Sequence, residues 1–196
     1  MNQKGNLGFQ RTHENIRNCV YELLQEKAIS QITVGEICKK IGINRSTFYA
    51  HYQDVYAVME LIFEELNQEL VARYEGMEQD NPENQEIEGT LFYTRQRYIK
   101  IQMEHMKEYR WFYLGLLRDP ANLLMEKAMK ALREEIADPI FYRYGVQSKE
   151  GDYFFRYTIA GYFAVCQQWL ENGCKETPEH IATIMERLQP MIPDIN

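Results

Sequence analysis

The sequence lacks the features that mark secreted and membrane proteins. It has no apolar run of roughly 18 residues, the length that a transmembrane helix requires. Its first 15 residues have neither the apolar centre nor the cleavage site of a secretory signal. The four cysteines form no CxxC pair, which favours reduced thiols packed inside the fold. These absences predict a cytoplasmic protein that does not associate with a membrane.

Sequence motifs of catalysis and metal binding are also missing. The chain contains no GxSxG, no Walker loop, no GxGxxG and no HExxH. The four histidines stand apart from one another and from the cysteines in sequence. We therefore predict no metal site, no cofactor and no enzymatic activity.

Strand signals are nearly absent, because no segment sustains an alternation of apolar and polar residues. Helical periodicity occurs along most of the chain. After a predicted N-cap at Thr12, for example, Ile16, Val20, Leu23 and Leu24 fall on one helical face. The hydrophobic content of 45% suffices for a core. The predicted fold class is all-α.

The segment after Thr33 predicts a very short helix. Thr33 and Glu36 have the spacing of a capping box, in which each side chain bonds the other residue's amide. Gly42 follows the last helical residue, where a left-handed backbone is easy for glycine only. The helix is therefore predicted to have only about two turns.

A second short helix follows at once. Asn44 is its predicted N-cap, the helix is predicted to run from Arg45 to about Tyr52, and Asp54 caps the helix after it. Two short helices joined by a tight turn are typical of a helix-turn-helix, whose second helix enters the DNA major groove. Such pairs also occur in other all-helical proteins, so the pattern alone leaves DNA binding open.

The side chains of the second short helix suit contact with DNA. Arg45 can reach a phosphate or a guanine edge, and the hydroxyls and aromatic tips can reach phosphates or bases. Phe48 is predicted to point inward. The candidate DNA-binding residues are Thr33, Arg45, Ser46, Thr47, Tyr49, His51 and Tyr52.

Charge is distributed unevenly along the chain. The net charge is −7, but residues 1–56 carry seven basic and five acidic side chains, a balance of +2. The remainder therefore carries −9. A mildly basic front end on an acidic body is typical of a protein that approaches a polyanion through that end alone.

The segment ITVGEICKKIGINRSTFYAHYQDVYAVMELI resembles the DNA-binding head of the TetR-type (TetR/AcrR) bacterial transcriptional repressors. The shared features are a threonine that starts the first short helix, an Ile-Gly-Ile turn, and the order Thr-Phe-Tyr then His-Tyr on the recognition helix. The resemblance covers about residues 12–62.

The resemblance implies a helix-turn-helix domain over residues 1–54 and a helical ligand-binding and dimerisation domain over residues 55–196. It also implies a homodimer that binds a double-stranded DNA operator of palindromic sequence and releases it when a small-molecule effector occupies the body. Many relatives have a phosphate-binding lysine where this chain has Val55, which puts its DNA affinity in doubt. A protein-interaction adaptor that keeps the fold, with weak or no DNA binding, is the alternative.

The C-terminal segment from Cys166 to Glu179 resembles the junction of the last two helices in one branch of these regulators, where they form a four-helix dimer interface. A buried helix pair within one chain is the alternative. The predicted dimer-interface residues are Phe154, Thr158, Gly161, Tyr162, Val165, Trp169, Ile181, Ile184, Met185 and Leu188.

Seventeen aromatic residues lie between Phe92 and Trp169. They predict either an ordinary core with some exposed rings or an aromatic effector pocket, which would suit a flat or cationic ligand. The candidate pocket residues are Tyr98, Trp111, Phe112, Tyr142 and Tyr162.

Overall fold

The computed structural model describes residues 3–79, 96–119, 123–143, 145–146 and 148–188. These residues form helices and no strand, so the all-α prediction is confirmed. None of the described helices combines the length and the apolarity needed to span a bilayer. The helices are α1 Gln3–Leu24, α2 Val34–Ile41, α3 Arg45–Tyr49, α4 Val55–Gln79, α5 Gln96–Glu108, α6 Arg110–Leu117, α7 Leu123–Ala131, α8 Asp138–Arg143, α9 Ser148–Glu171 and α10 Pro178–Leu188.

The chain divides into two compact units. The first contains the residues up to 68 together with 111–119, and the second contains 69–110 and the residues from 120 onward. The division falls inside α4, whereas the sequence predicted a boundary between residues 54 and 55. The reason is that α4 is one continuous helix whose first half, including Val58 and Met59, is buried in the first unit.

α1 begins earlier than its apolar stripe predicted. Thr12 is not the N-cap, because the helix starts at Gln3 and the Thr12 hydroxyl donates to the Gly8 carbonyl at 3.0 Å. The predicted stripe itself is correct: Ile16, Val20 and Leu24 are fully buried. The residues before Thr12 thus extend a helix whose stability comes from the later turns.

α6 contributes to the core of the first unit. The Phe112 ring lies 6.5 Å from that of Phe63 on α4. A Cβ atom on Gly115 would lie 2.7 Å from Leu24 Cδ2, closer than side chains can pack. Gly115 therefore allows α6 to approach α1 at that point.

Three ion pairs join α1 and the turn after it to their neighbours in the first unit. Lys27 Nζ lies 2.6 Å from the Glu36 carboxylate, Lys40 Nζ lies 3.2 Å from Glu22, and Arg17 lies 2.5 Å from Glu65. The hydrogen bond from Lys27 lowers the pKa of Glu36 below its ordinary value. These pairs are partly exposed, so they orient α2 and α4 against α1 more than they stabilise the fold.

α5 packs against α10 in the second unit. The Gln96 side-chain amide donates to the Thr183 hydroxyl at 2.7 Å. α9 ends at Glu171, and Gly173 follows it in a left-handed conformation at φ 80°. The Trp169 indole then donates to the Glu176 carbonyl at 3.0 Å, which fixes the turn into α10.

The second half of α4 is tied to α5 by a polar network within the second unit. The Tyr109 hydroxyl donates to Glu69 at 2.7 Å, and Arg73 donates to Glu108 at 2.7 Å and also to Glu69. The hydrogen bond to Glu69 raises the pKa of Tyr109 to about 12.

Asp138 and Pro139 lie in a continuous helical segment. A π-helical segment, Leu132–Ala137, follows α7 directly, and α8 continues from it. Asp138 has helical angles, φ −63° and ψ −41°. Pro139 is the second residue of α8.

Candidate nucleic-acid interface

The start of α2 has the geometry that the sequence predicted. The Glu36 amide donates to the Thr33 hydroxyl at 3.2 Å, so Thr33 is the N-cap. α2 ends at Gly42, which has φ 70° and ψ 33°. The short helix and its left-handed turn therefore place α3 directly after α2.

Asn44 organises the first turn of α3. Its side-chain oxygen accepts hydrogen bonds from the Thr47 amide at 2.8 Å, the Ser46 hydroxyl at 2.6 Å and the Thr47 hydroxyl at 2.8 Å. The two hydroxyl hydrogens are thereby used within the protein, which leaves the oxygens available as acceptors. The helix ends at Tyr49, three residues before its predicted end.

Arg45 lies against the first turn of α2. Its Nη2 atom is 3.0 Å from the position that a Cβ would occupy on Gly35. The guanidinium therefore lies against Gly35, the second residue of the helix that Thr33 caps. Gly35 permits this approach because a larger residue would displace the guanidinium.

Phe48 and Tyr49 differ in exposure although they are neighbours in the chain. Phe48 is fully buried, as predicted, and the Tyr49 side chain is 55% exposed. Their rings meet edge to face at 5.7 Å. The buried ring therefore supports the exposed one, which leaves Tyr49 available on the surface beside Arg45 and Ser46, both exposed.

Tyr52 does not belong to this surface, contrary to the prediction that it contacts DNA. Its side chain is only 6% exposed, and its hydroxyl lies 2.9 Å from His13 Nε2. Burial raises its pKa to about 12. The residue packs into the core because the chain leaves α3 after Tyr49 and turns Tyr52 toward α1.

His51 is half-buried and belongs to an aromatic cluster that the sequence did not predict. The Phe9 ring stacks on the His51 ring with centroids 3.9 Å apart and an angle of 27° between the planes. Burial, and secondarily the charge of His13, lowers the pKa of His51. Sequence periodicity could not identify Phe9, since the helix was predicted to begin only at Thr12.

The residue at the expected lysine position, Val55, is buried at the start of α4. The Asp54 carboxylate caps this helix by accepting from the Ala57 amide at 2.8 Å, as predicted. Lys39 and Lys40 are exposed at the end of α2, and Lys40 pairs with Glu22. The exposed cations of α2 and α3 are thus Arg45 and these two lysines.

Comparison with known proteins places the chain in a family. Residues 94–190 match the family model of a TetR-type transcriptional regulator C-terminal region. This chain belongs to the TetR-type transcriptional regulators. The family match covers residues 94–190 and the resemblance covers about residues 12–62, so the two observations rest on different parts of the chain.

Two solved structures share the fold of this TetR-type regulator. The dihydroxyacetone kinase operon activator DhaS is 21% identical with a TM-score of 0.52, and the match covers 91% of this chain and 93% of that one. The fatty acid degradation regulator FadR from Bacillus halodurans is 14% identical with a TM-score of 0.59, and the match covers 90% and 93%. The comparison with curated proteins gave no match.

The predicted pocket residues of this TetR-type regulator do not share one environment. Trp111 and Phe112 belong to the first unit, whereas Tyr98, Tyr142 and Tyr162 belong to the second. Tyr142 is 90% exposed, so it does not line an enclosed pocket. The aromatic spacing could not show this, because exposure depends on what packs over each ring.

Tyr98 and Tyr162 are the pocket candidates that remain inside the second unit. Tyr98 is buried, and the Tyr162 hydroxyl donates to Gln102. A groove of about 480 Å³ also lies in this unit, and none of the five candidates lines it. Its lining residues are Glu126, Met129, Lys130, Arg133, Asp152, Phe155 and Arg156.

The predicted dimer face also needs correction. Trp169, Ile181 and Met185 are buried inside the protomer, so they are not available to a second copy. Of the other predicted residues, Gly161 and Leu188 are exposed, and those half-buried are Phe154, Thr158, Tyr162, Val165 and Ile184. The predicted apolar residues do form stripes on α9 and α10, but part of each stripe packs against the core of its own protomer.

A different face of α9 is open to solvent. It is displaced around the helix from the predicted stripe and shares Gly161 with it. It combines two largely exposed tyrosines with small residues. Its members, called the α9 outer face below, are Tyr153, Tyr157, Ala160, Gly161 and Ala164.

Proposed function

We propose that this TetR-type regulator binds a palindromic DNA operator as a homodimer, and that a small-molecule effector bound in the second unit releases it, so that it acts as a repressor. The observation that carries the DNA-binding part is the position of the Arg45 guanidinium on the first turn of α2. A guanidinium and a helix N-terminus are both electropositive, and each alone attracts a phosphate.

The electrostatics of this arrangement favour an anion between the two groups. A cation beside the positive end of a helix is unfavourable by itself. No carboxylate forms an ion pair with Arg45 in the described part of the chain. A DNA phosphate would satisfy Arg45 and the Thr33 end of α2 at once.

Tyr49 supplies a rigid contact beside that phosphate position. Its ring is supported by Phe48, so little conformational entropy is lost when it meets a sugar or a base edge. The Ser46 and Thr47 hydroxyls donate to Asn44, and their oxygens can accept from base amino groups. This combination of cation, aromatic ring and acceptors favours duplex recognition over an adaptor role.

Selection of duplexes from a random DNA pool tests the DNA-binding proposal. We expect the wild-type protein to enrich a palindromic motif with half-sites about one helical turn apart. Arg45→Ala and Tyr49→Ala should each weaken binding to that motif by about 10-fold or more, as expected for the loss of one good contact per half-site. Tyr142→Ala, which removes an exposed tyrosine of the second unit, is the control and should bind normally.

The opposite outcome would favour the adaptor. In that case no motif is enriched, and the Arg45 and Tyr49 variants retain the same weak, salt-dependent binding as the wild type. A search for a protein partner of the head would then follow.

The α9 outer face supports the homodimer. Tyr157 is 75% exposed, and a Cβ on Gly161 would have no atom within 4 Å. Small residues at 160, 161 and 164 permit a second helix to approach closely, and the tyrosines provide apolar area with a polar tip. A dimer would also place two recognition helices at a fixed separation, which a palindrome requires.

Buried polar groups without partners support an effector site in the second unit. The Arg97 Nε and Nη2 atoms and the Thr158 hydroxyl are buried and have no hydrogen-bond partner among the described residues. The Arg97 guanidinium also lies 5.2 Å from the centre of the Tyr98 ring. Leaving such groups unsatisfied is costly, and an acidic ligand would satisfy Arg97 bidentately. We therefore propose an effector with a carboxylate or phosphate group, whereas the aromatic content alone favoured a flat or cationic one.

A thermal-shift screen of small carboxylic acids and their neutral amide analogues tests the sign of the effector charge. We expect acids, and not their amides, to raise the melting temperature by several degrees at saturating concentration. Arg97→Met should abolish the shift, and Arg156→Met, which removes an exposed arginine of the same unit, should leave it unchanged. Stabilisation by the amides alone, or an unchanged shift in Arg97→Met, would contradict the proposal.

A further inference from the structure

Phe9 is joined to the end of the recognition helix by an aromatic stack. Its ring lies 3.9 Å from that of His51, which follows α3 by two residues. Phe9 remains 49% exposed, so it is not an ordinary core residue. The stack is thus at the surface beside the residues proposed to contact DNA.

His13 lies beneath the stack and separates it from the core. Its ring is 5.9 Å from that of His51 and stacks on Tyr52 at 4.6 Å. Its Nε2 atom is 2.9 Å from the Tyr52 hydroxyl. In the described structure, Nδ1 of His13 and Nδ1 of His51 are both buried without a hydrogen-bond partner, whereas Nε2 of His51 is not enclosed in this way. The open nitrogen of His51 is therefore the one available to a ligand.

We propose that Phe9 is a positioning residue for DNA binding: it holds His51 so that the imidazole contacts a phosphate, and DNA binding takes up one proton at the His51 of each protomer. The inference rests on the proposed function and adds to it a residue outside the helix-turn-helix and a dependence on pH.

The groups around His51 favour its neutral form in the free protein. Burial is the larger cause that lowers its pKa below the ordinary 6.5, and the charge of His13 is the second. The other groups in this neighbourhood are Tyr52, whose hydroxyl is protonated at neutral pH, and an ion pair between Arg17 of α1 and Glu65 of α4 at 2.5 Å. Arg17 thus compensates the negative charge of Glu65, so Glu65 does little to stabilise the protonated form of His51.

A DNA phosphate changes this balance. Its negative charge favours the imidazolium. The bound complex then holds more protons than the free protein, so affinity rises as the pH falls below the pKa of His51 in the complex. The gain ends where His51 is protonated in the free protein as well.

Operator affinity measured between pH 8 and pH 5.5 at constant salt tests the inference in the full-length protein. We expect wild-type affinity to rise by about 5- to 10-fold between pH 8 and pH 6, within the limit of tenfold per pH unit for each proton, of which a dimer can take up two, one per protomer. His51→Gln should remove the dependence. Phe9→Leu, which keeps apolar volume but no flat ring, should reduce it, and Phe9→Tyr should restore it.

NMR titration of His51 in the free protein gives a readout that does not depend on DNA. Phe9→Leu should raise the pKa of His51 toward its ordinary value, since the ring becomes more hydrated, while the remaining amide spectrum shows a folded head. Phe9→Tyr should keep the wild-type value.

Each negative result of these experiments leads to a different conclusion. A defined operator bound with no dependence on pH would overturn the inference and leave the proposed function standing. The same pH profile and the same His51 pKa in Phe9→Leu as in the wild type would show that Phe9 positions nothing. If the wild-type protein binds no duplex at any pH, the proposed function fails and the inference fails with it.

Discussion

Gly161→Glu is expected to convert the regulator into a monomer and to weaken operator binding by about 100-fold or more. Gly161 is exposed in the protomer, and a side chain there meets no atom of the protein within 4 Å, so the variant should fold normally. Two copies of the α9 outer face would each bring a carboxylate into the place where the helices approach most closely, and the charges would be buried without partners. A single head then makes half of the operator contacts.

Sedimentation equilibrium and operator titration of the same preparations measure both effects. Gly76→Glu is the matched control, because Gly76 is also an exposed helical glycine, and a Cβ added there would meet no atom within 4 Å. It should remain dimeric and bind DNA normally. A Gly161→Glu protein that stays dimeric at micromolar concentration would show that the α9 outer face is not the interface.

Phe48→Ala is expected to reduce the free energy of unfolding of the first unit by about 3–5 kcal/mol and to abolish operator binding. The Phe48 side chain is fully buried. α3 has only five residues, which is too short to be stable without packing. Phe48 is its one buried side chain, so the substitution removes the packing that stabilises the helix.

Urea denaturation followed by circular dichroism, together with amide exchange in α3, measures this loss. Tyr49→Ala is the control, because the neighbouring ring is exposed and its removal should change stability by less than about 1 kcal/mol while still weakening DNA binding. If Phe48→Ala lowered stability no more than Tyr49→Ala, α3 would be held by contacts other than this ring.

The two variants at positions 48 and 49 separate folding from recognition. Phe48 and Tyr49 are adjacent in sequence and differ by one hydroxyl, yet one ring holds the helix and the other is presented to solvent. Loss of DNA binding with a stable fold in Tyr49→Ala, and with an unstable one in Phe48→Ala, would assign these roles directly.

The sequence by itself determined the helical class and the caps and turn of the two short helices. Thr33, Asn44 and Asp54 cap their helices, and Gly42 adopts the left-handed conformation, all as the sequence predicted. Caps and turns depend on hydrogen bonds between residues at most a few positions apart, so a short stretch of sequence contains all the residues that determine them.

Only the tertiary structure decided which helix faces are covered and by what. An apolar stripe shows that one face of a helix is covered. Trp169 and Met185 pack into the core of their own protomer. The sequence could not distinguish this packing from contact with a second copy of the chain. The inward turn of Tyr52 and the stack of Phe9 on His51 likewise join residues about 40 positions apart. Such contacts are set by the path of the whole chain, because no local rule of spacing or propensity relates residues that far apart.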